Sequence, residues 1–161
     1  MLESYFISNE DHALHTFLEQ IVADHMTREV KTVARHVSLR ELGDLFERDD
    51  FNTYPVEENT QVIGVVSKFD YLAGFVFTPA HMTPRYEDLM RRTVADVMTS
   101  EFIYVGVDTK LTRVLQLMID HRLRSMPVIE NGQRLAGMIS RADVMRALQR
   151  CVDSKSLASS P

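Results

Sequence analysis

The chain has no tryptophan and a single cysteine, Cys151, in 161 residues. One thiol cannot form a disulfide within the chain, and it leaves no Cys/His cluster of the kind that holds structural zinc. This usage points to a reducing, cytoplasmic setting. No run approaches the roughly 20 apolar residues of a membrane span. The N-terminal stretch MLESYFISNEDHALHTF lacks the basic-then-apolar layout of a secretory signal. An excess of positive charge is also missing. The net charge of -5 argues against broad nucleic-acid binding, which rests on a basic surface. The phosphate-gripping Gly-x-x-x-x-Gly-Lys-Ser/Thr loop and the dinucleotide Gly-x-Gly-x-x-Gly fingerprint do not occur. The six histidines are scattered, and His12 with His15, the one pair at i, i+3, reads as surface residues. The expectation is therefore a protein that is not an enzyme, with no catalytic residues and no metal site.

What is present is a duplication. With 45% apolar and 25% charged residues, the chain has the balance of a globular protein. VADHMT at 22–27 reappears as VADVMT at 94–99, and YPVEEN at 54–59 as MPVIEN at 126–131, both at an offset of 72. One residue is then gained, so that GVVSKFDYL at 64–72 matches GMISRADVM at 137–145.

Each copy alternates between helical and strand patterns. Leu39, Leu42, Leu45 and Phe46 share one helical face, as do Leu111, Val114, Leu115, Leu117 and Met118. TYPVEE with QVIGVV, and SMPVIE with RLAGMI, read as hairpins turning at NT and NGQ. VKTVA and FIYVG read as short extended pieces ahead of the first helices, and Ser67 and Ser140 start second helices ending near Phe75 and Arg150. The predicted order is strand, helix, strand, strand, helix, twice over, in the α/β (α+β) class. Leu14, Phe17, Leu18 and Ile21 predict an additional N-terminal helix. TPRYEDLMRR predicts a spacer helix with Thr83 as N-cap and Pro84 at its first position. The predicted organisation is an N-terminal helical extension at 1–20, unit 1 at 21–76, a spacer helix at 77–92, unit 2 at 93–150 and a disordered tail at 151–161.

The repeated Gly-apolar-apolar-Ser-basic-x-Asp admits two readings. In one, Ser67 and Ser140 cap their helices while Asp70 and Asp143 reach back, as in a capping box. In the other, the same helix start receives a nucleotide: free N–H groups suit phosphate or ribose oxygens, and a carboxylate accepts ribose hydroxyls. The preceding glycine, Gly64 or Gly137, allows a ligand or another backbone to approach the strand closely.

These lead-in, hairpin and helix-start motifs, in order and in two copies, resemble the cystathionine-β-synthase (CBS) domain as a tandem pair. The resemblance implies two β-α-β-β-α units packed pseudo-symmetrically, with an adenosyl ligand in the cleft between them. AMP, ADP or ATP is the implied regulatory ligand, with S-adenosylmethionine or NAD as alternatives. It implies ribose and phosphate contacts from Ser140, Asp143, Arg124 and Arg141 in one half-site and from Ser67 and Asp70 in the other. It also implies adenine slots at Thr32, Val33, Tyr54 and Pro55, and at Tyr104, Val105, Met126 and Pro127. The family further implies a homodimeric disc and a regulatory role exerted on a protein partner.

The copies differ in charge. DHRLRSMPV places His121, Arg122 and Arg124 ahead of the second hairpin, where the first copy has ERDDFNTYPV with Asp49, Asp50 and Asn52. Guanidinium groups suit phosphate through paired donors, whereas aspartates facing the ligand would repel it. The expectation is a free-standing, cytoplasmic, homodimeric energy sensor whose Ser140/Asp143 site takes a phosphorylated adenosine. The competing expectation is an assembly module that binds no ligand and docks to an enzyme or transporter. The apolar run YLAGFVFTP at 71–79 is read as a dimer seam, and the spacer with Tyr86, Met90, Arg91 and Arg92 as a lid or partner surface.

Overall fold

The structure, a computed structural model, describes residues 9–76 and 85–156. Helices and two small antiparallel sheets alternate along it, and the chain divides into two compact units. The elements are α1 (Asn9–Leu18), α2 (Leu39–Asp49), β1 (Thr53–Glu58), β2 (Gln61–Ser67), α3 (Lys68–Ala73), α4 (Tyr86–Arg91), α5 (Val94–Val97), α6 (Leu111–Asp120), β3 (Ser125–Glu130), β4 (Arg134–Ser140) and α7 (Arg141–Ser156).

One unit is Glu29–Tyr104 with Ile129–Leu135. Helix α2 starts at a complete capping box, Ser38 with Glu41, and turns Leu39, Leu42 and Phe46 into the core with Tyr54, Val56, Val66 and Val94. Strands β1 and β2 pair with Glu58 opposite Gln61, so Asn59 and Thr60 alone make the turn, both at positive φ. This is the twist that a two-residue hairpin demands, and Asn-Thr supplies it with a β-branched residue in an unfavourable region. VKTVA contributes one parallel bridge, Val33 to Val56, where a short strand was predicted.

The other unit is Met1–Arg28, Val105–Val128 and Ala136–Pro161. Here α1 packs on α7 and α6. Ala13 and Phe17 are buried, whereas Leu14 and Leu18 are exposed. Leu111, Val114 and Met118 of α6 are buried with Met126, Val128, Ile139 and Val144. Val105 bridges Val128 in parallel, matching Val33 in the other unit.

The repeats exchange their lead-in segments. Thr27, ending the first VADxMT, bridges Met138 of β4, with both N–H···O distances 2.9 Å. Within the other unit, Thr99, ending the second VADxMT, bridges Val65 of β2 at 2.9 and 3.0 Å. Each lead-in thus pairs with a strand from the other repeat. Here Gly64 and Gly137 find their use. A Cβ at Gly64 would lie 2.9 Å from the Thr99 carbonyl oxygen, and one at Gly137 2.5 Å from that of Thr27. The close approach is by backbone.

Two helix boundaries differ from the sequence expectation. α7 runs through Ser156, so 151–156 continue the helix where a disordered tail was predicted, with Cys151 buried on its inner side. Residues 157–161 lie outside the described residues. α4 begins at Tyr86 with Arg85 at its N-cap and no side-chain cap. Thr83 and Pro84 lie outside the described residues, as does part of the predicted seam, 77–79.

Candidate functional site

The second helix start is built by α7. Ser140 Oγ accepts from the Asp143 N–H at 3.2 Å, and Asp143 Oδ2 accepts from the Ser140 N–H at 2.8 Å and from its hydroxyl at 2.7 Å. The capping reading of Ser-x-x-Asp is realised in full. Asp143 is 4% exposed, and its Oδ1 accepts from the Arg146 guanidinium one turn along. The carboxylate is engaged at both oxygens.

Arg124 and Arg141 are brought together beside this cap. The Arg141 N–H donates to the Arg124 carbonyl at 2.9 Å, and Arg141 Nε donates to the Leu123 carbonyl at 2.6 Å. Arg124 is exposed, and its guanidinium forms no ion pair among the described residues. Arg122 is also exposed, in the left-handed region at φ 55°. The surface at the start of α7 therefore presents cationic groups that form no ion pair with a carboxylate of the described residues.

The first helix start repeats the cap with different surroundings. Asp70 Oδ2 accepts from the Ser67 N–H and hydroxyl, both at 2.7 Å, and Ser67 Oγ accepts from the Asp70 N–H at 3.1 Å. Its Oδ1 has no hydrogen bond among the described residues, because Ala73 stands where Arg146 does. The Lys68 N–H donates to the Asn52 carbonyl at 2.9 Å, and Lys68 Nζ donates to Asp50 at 3.3 Å.

Of the two acids expected to repel phosphate, Asp49 is a structural residue. Its side chain is 4% exposed and accepts from Lys31 Nζ at 2.7 Å, Arg48 Nε at 3.1 Å and the Tyr54 hydroxyl at 2.7 Å. The Arg48 guanidinium, then Lys31 and Tyr54, hold its carboxyl far below the usual range, while burial and then Asp49 push the Tyr54 hydroxyl upward. Asp50 is exposed and tied to Lys68.

Most of the expected adenine-slot side chains lie in the core. Val33, Tyr54, Pro55, Val105, Met126 and Pro127 are buried, Thr32 is half-buried and Tyr104 is exposed. The Val33 N–H donates to the Pro55 carbonyl at 3.0 Å, and that of Val105 to Pro127 at 3.1 Å.

Two residues escaped the sequence reading. Arg146 stands at i+3 from Asp143, a spacing that identifies it in retrospect. His25 of the first lead-in holds Gln20 Oε1 at 2.8 Å from its Nε2. Burial lowers its pKa and Asp24 opposes that; Arg150 lowers it further, and Asp143 acts to raise it. The repeat concealed it, since Val97 occupies the matching position. Among the described residues, no group of three or more His, Cys, Asp or Glu is arranged to hold a metal, and no helix is long and apolar enough to cross a membrane.

The CBS domain family model matches residues 22–76 and 94–150. The chain belongs to the CBS domain family. Its fold is similar to that of AcuB from Vibrio cholerae, at TM-score 0.72 and 23% identity over 89% of this chain and all of that one. It is also similar to protein MJ1225 of Methanocaldococcus jannaschii, at TM-score 0.75 and 20% identity over 87% of this chain and 53% of that one. A third CBS structure, CBSX2 in complex with AMP, matches at TM-score 0.68 and 25% identity, covering 81% of this chain and 96% of CBSX2. In sequence, MJ1225 is 22% identical over 130 residues, 79% of this chain. The CBS chain spans under half the length of the first curated relatives it matches, 46% in the case of MJ1225.

Proposed function

We propose that this CBS pair is a regulatory module that binds an adenosyl ligand of the AMP, ADP or ATP type and passes the occupancy to a protein partner by a change of conformation. The observation that carries the reading is the start of α7, where the Ser140–Asp143 cap adjoins the Arg124 backbone and Arg141, and Arg124 has no ion pair among the described residues. An arginine there suits a phosphate, and the Asp143 carboxylate suits a ribose diol. AMP in the similar CBSX2 structure supports the class of ligand. The Ser67–Asp70 start, whose lysine is paired with Asp50, suits a less anionic ligand.

The module acts in the cytoplasm as a homodimer, without catalysis of its own. Phe69, Leu72 and Val76, exposed at 79%, 61% and 74%, support a dimer seam. A ligand shifts the output only by binding two conformations unequally.

Thermal denaturation against AMP, ADP, ATP, NAD and S-adenosylmethionine tests the reading. An adenine nucleotide at a hundred times its Kd is expected to stabilise the protein by about 2.7 kcal/mol. The second reading, an assembly module without a ligand, is favoured by the internal satisfaction of both caps and the burial of Val33, Tyr54, Val105 and Met126. Absence of a shift with every ligand at millimolar concentration would establish it over the first.

A further inference from the structure

We propose that Arg146 is a latch on the Ser140/Asp143 half-site that sets its preference for nucleotides over nucleosides; the inference rests on the adenosyl reading above. Asp143 has two oxygens to offer. Oδ2 is consumed by the cap, with the Ser140 N–H and hydroxyl both directed to it. Oδ1 is the only one open to a ribose diol, and the Arg146 guanidinium holds it. A ribose diol brings two hydroxyls, and Oδ1, with two lone pairs, can accept both only once that donor has left.

The latch is built to be released. The Arg146 side chain is 58% exposed while its partner is 4% exposed, so the guanidinium can swing into water while the carboxylate stays fixed by its cap. The cost of release falls on every ligand alike, but the compensation does not. A phosphate ester brings negative charge to a helix start that already carries Arg141 and gains a freed cation at Arg146, whereas a neutral nucleoside brings none. The first helix start lacks this arginine: Ala73 replaces it, and Asp70 Oδ1 has no hydrogen bond among the described residues. The asymmetry between the half-sites is therefore one of access to the carboxylate as well as of charge.

Calorimetric titration of adenosine and AMP into the full chain carrying Asp70→Ala, which confines the readout to the Ser140/Asp143 half-site, tests the latch. Adding Arg146→Ala is expected to tighten adenosine about fivefold, the scale of a partly exposed ion pair. AMP should tighten less, so the AMP-to-adenosine preference falls. Arg146→Lys, which keeps a cation at i+3, is expected to stay close to the parent on both ligands. Adenosine affinity that is unchanged or weaker in Arg146→Ala, with AMP still bound by the parent, overturns the latch and leaves the adenosyl reading standing. If neither ligand binds the unsubstituted chain, the adenosyl reading fails and the latch with it.

Discussion

At the scale of single residues, aspartates at similar-looking positions do unlike work. Asp70 and Asp143 hold helix starts, while Asp49 ends α2 and fixes Tyr54 through its hydroxyl. The depressed Asp49 pKa has a definite sign in stability. Ionised and paired in the folded state, Asp49 contributes stability in full above the unfolded carboxyl value of about 3.9, and loses it as pH falls toward the folded value. Asp49→Asn is expected to lower the melting temperature at neutral pH. The gap to the parent should narrow as the pH is brought below about 4. A gap independent of pH would mean that packing, not charge, is what Asp49 supplies.

At the scale of elements, the local pattern was legible and the pairing was not. Helices α2 and α6 follow from their apolar spacing, and the hairpins from Asn-Thr and Asn-Gly, because each signal lies within a few residues. The capping boxes were readable for the same reason, whereas Arg124 was singled out by the family resemblance and by its charge against Asn52 of the first copy. The helix α1 was readable from its apolar spacing, but which of its apolar residues are buried, Ala13 and Phe17 and not Leu14 or Leu18, was not. Nothing local says which strand a lead-in will join. Thr27 pairs with Met138 from more than a hundred positions away, and both repeats offer similar strands. The trace that the exchange leaves in sequence is a glycine whose reason becomes visible only with the backbone above it. Gly137→Ala would force a Cβ against the Thr27 carbonyl and is expected to destabilise by about 1–3 kcal/mol, the usual cost of overpacking. Chemical denaturation measures it, and a neutral effect would show that the lead-in is free to move away.

At the scale of the whole molecule, the correspondence of the repeats makes their differences informative. Both carry Ser-x-x-Asp and both build the same cap, so the cap alone distinguishes nothing. Charge does: the second repeat sets Arg122, Arg124 and Arg141 where the first sets Asp50, Asn52 and Lys68, and the one lysine among these is already paired. The account therefore depends on Arg124 meeting a phosphate. Because Arg124 is exposed and unpaired among the described residues, replacing it leaves the core untouched. Calorimetry of Arg124→Ala against AMP and adenosine isolates that contact. The account predicts AMP weakened at least about tenfold, as befits loss of a charge-assisted hydrogen bond, with adenosine unchanged. AMP binding as tight as in the parent would contradict it.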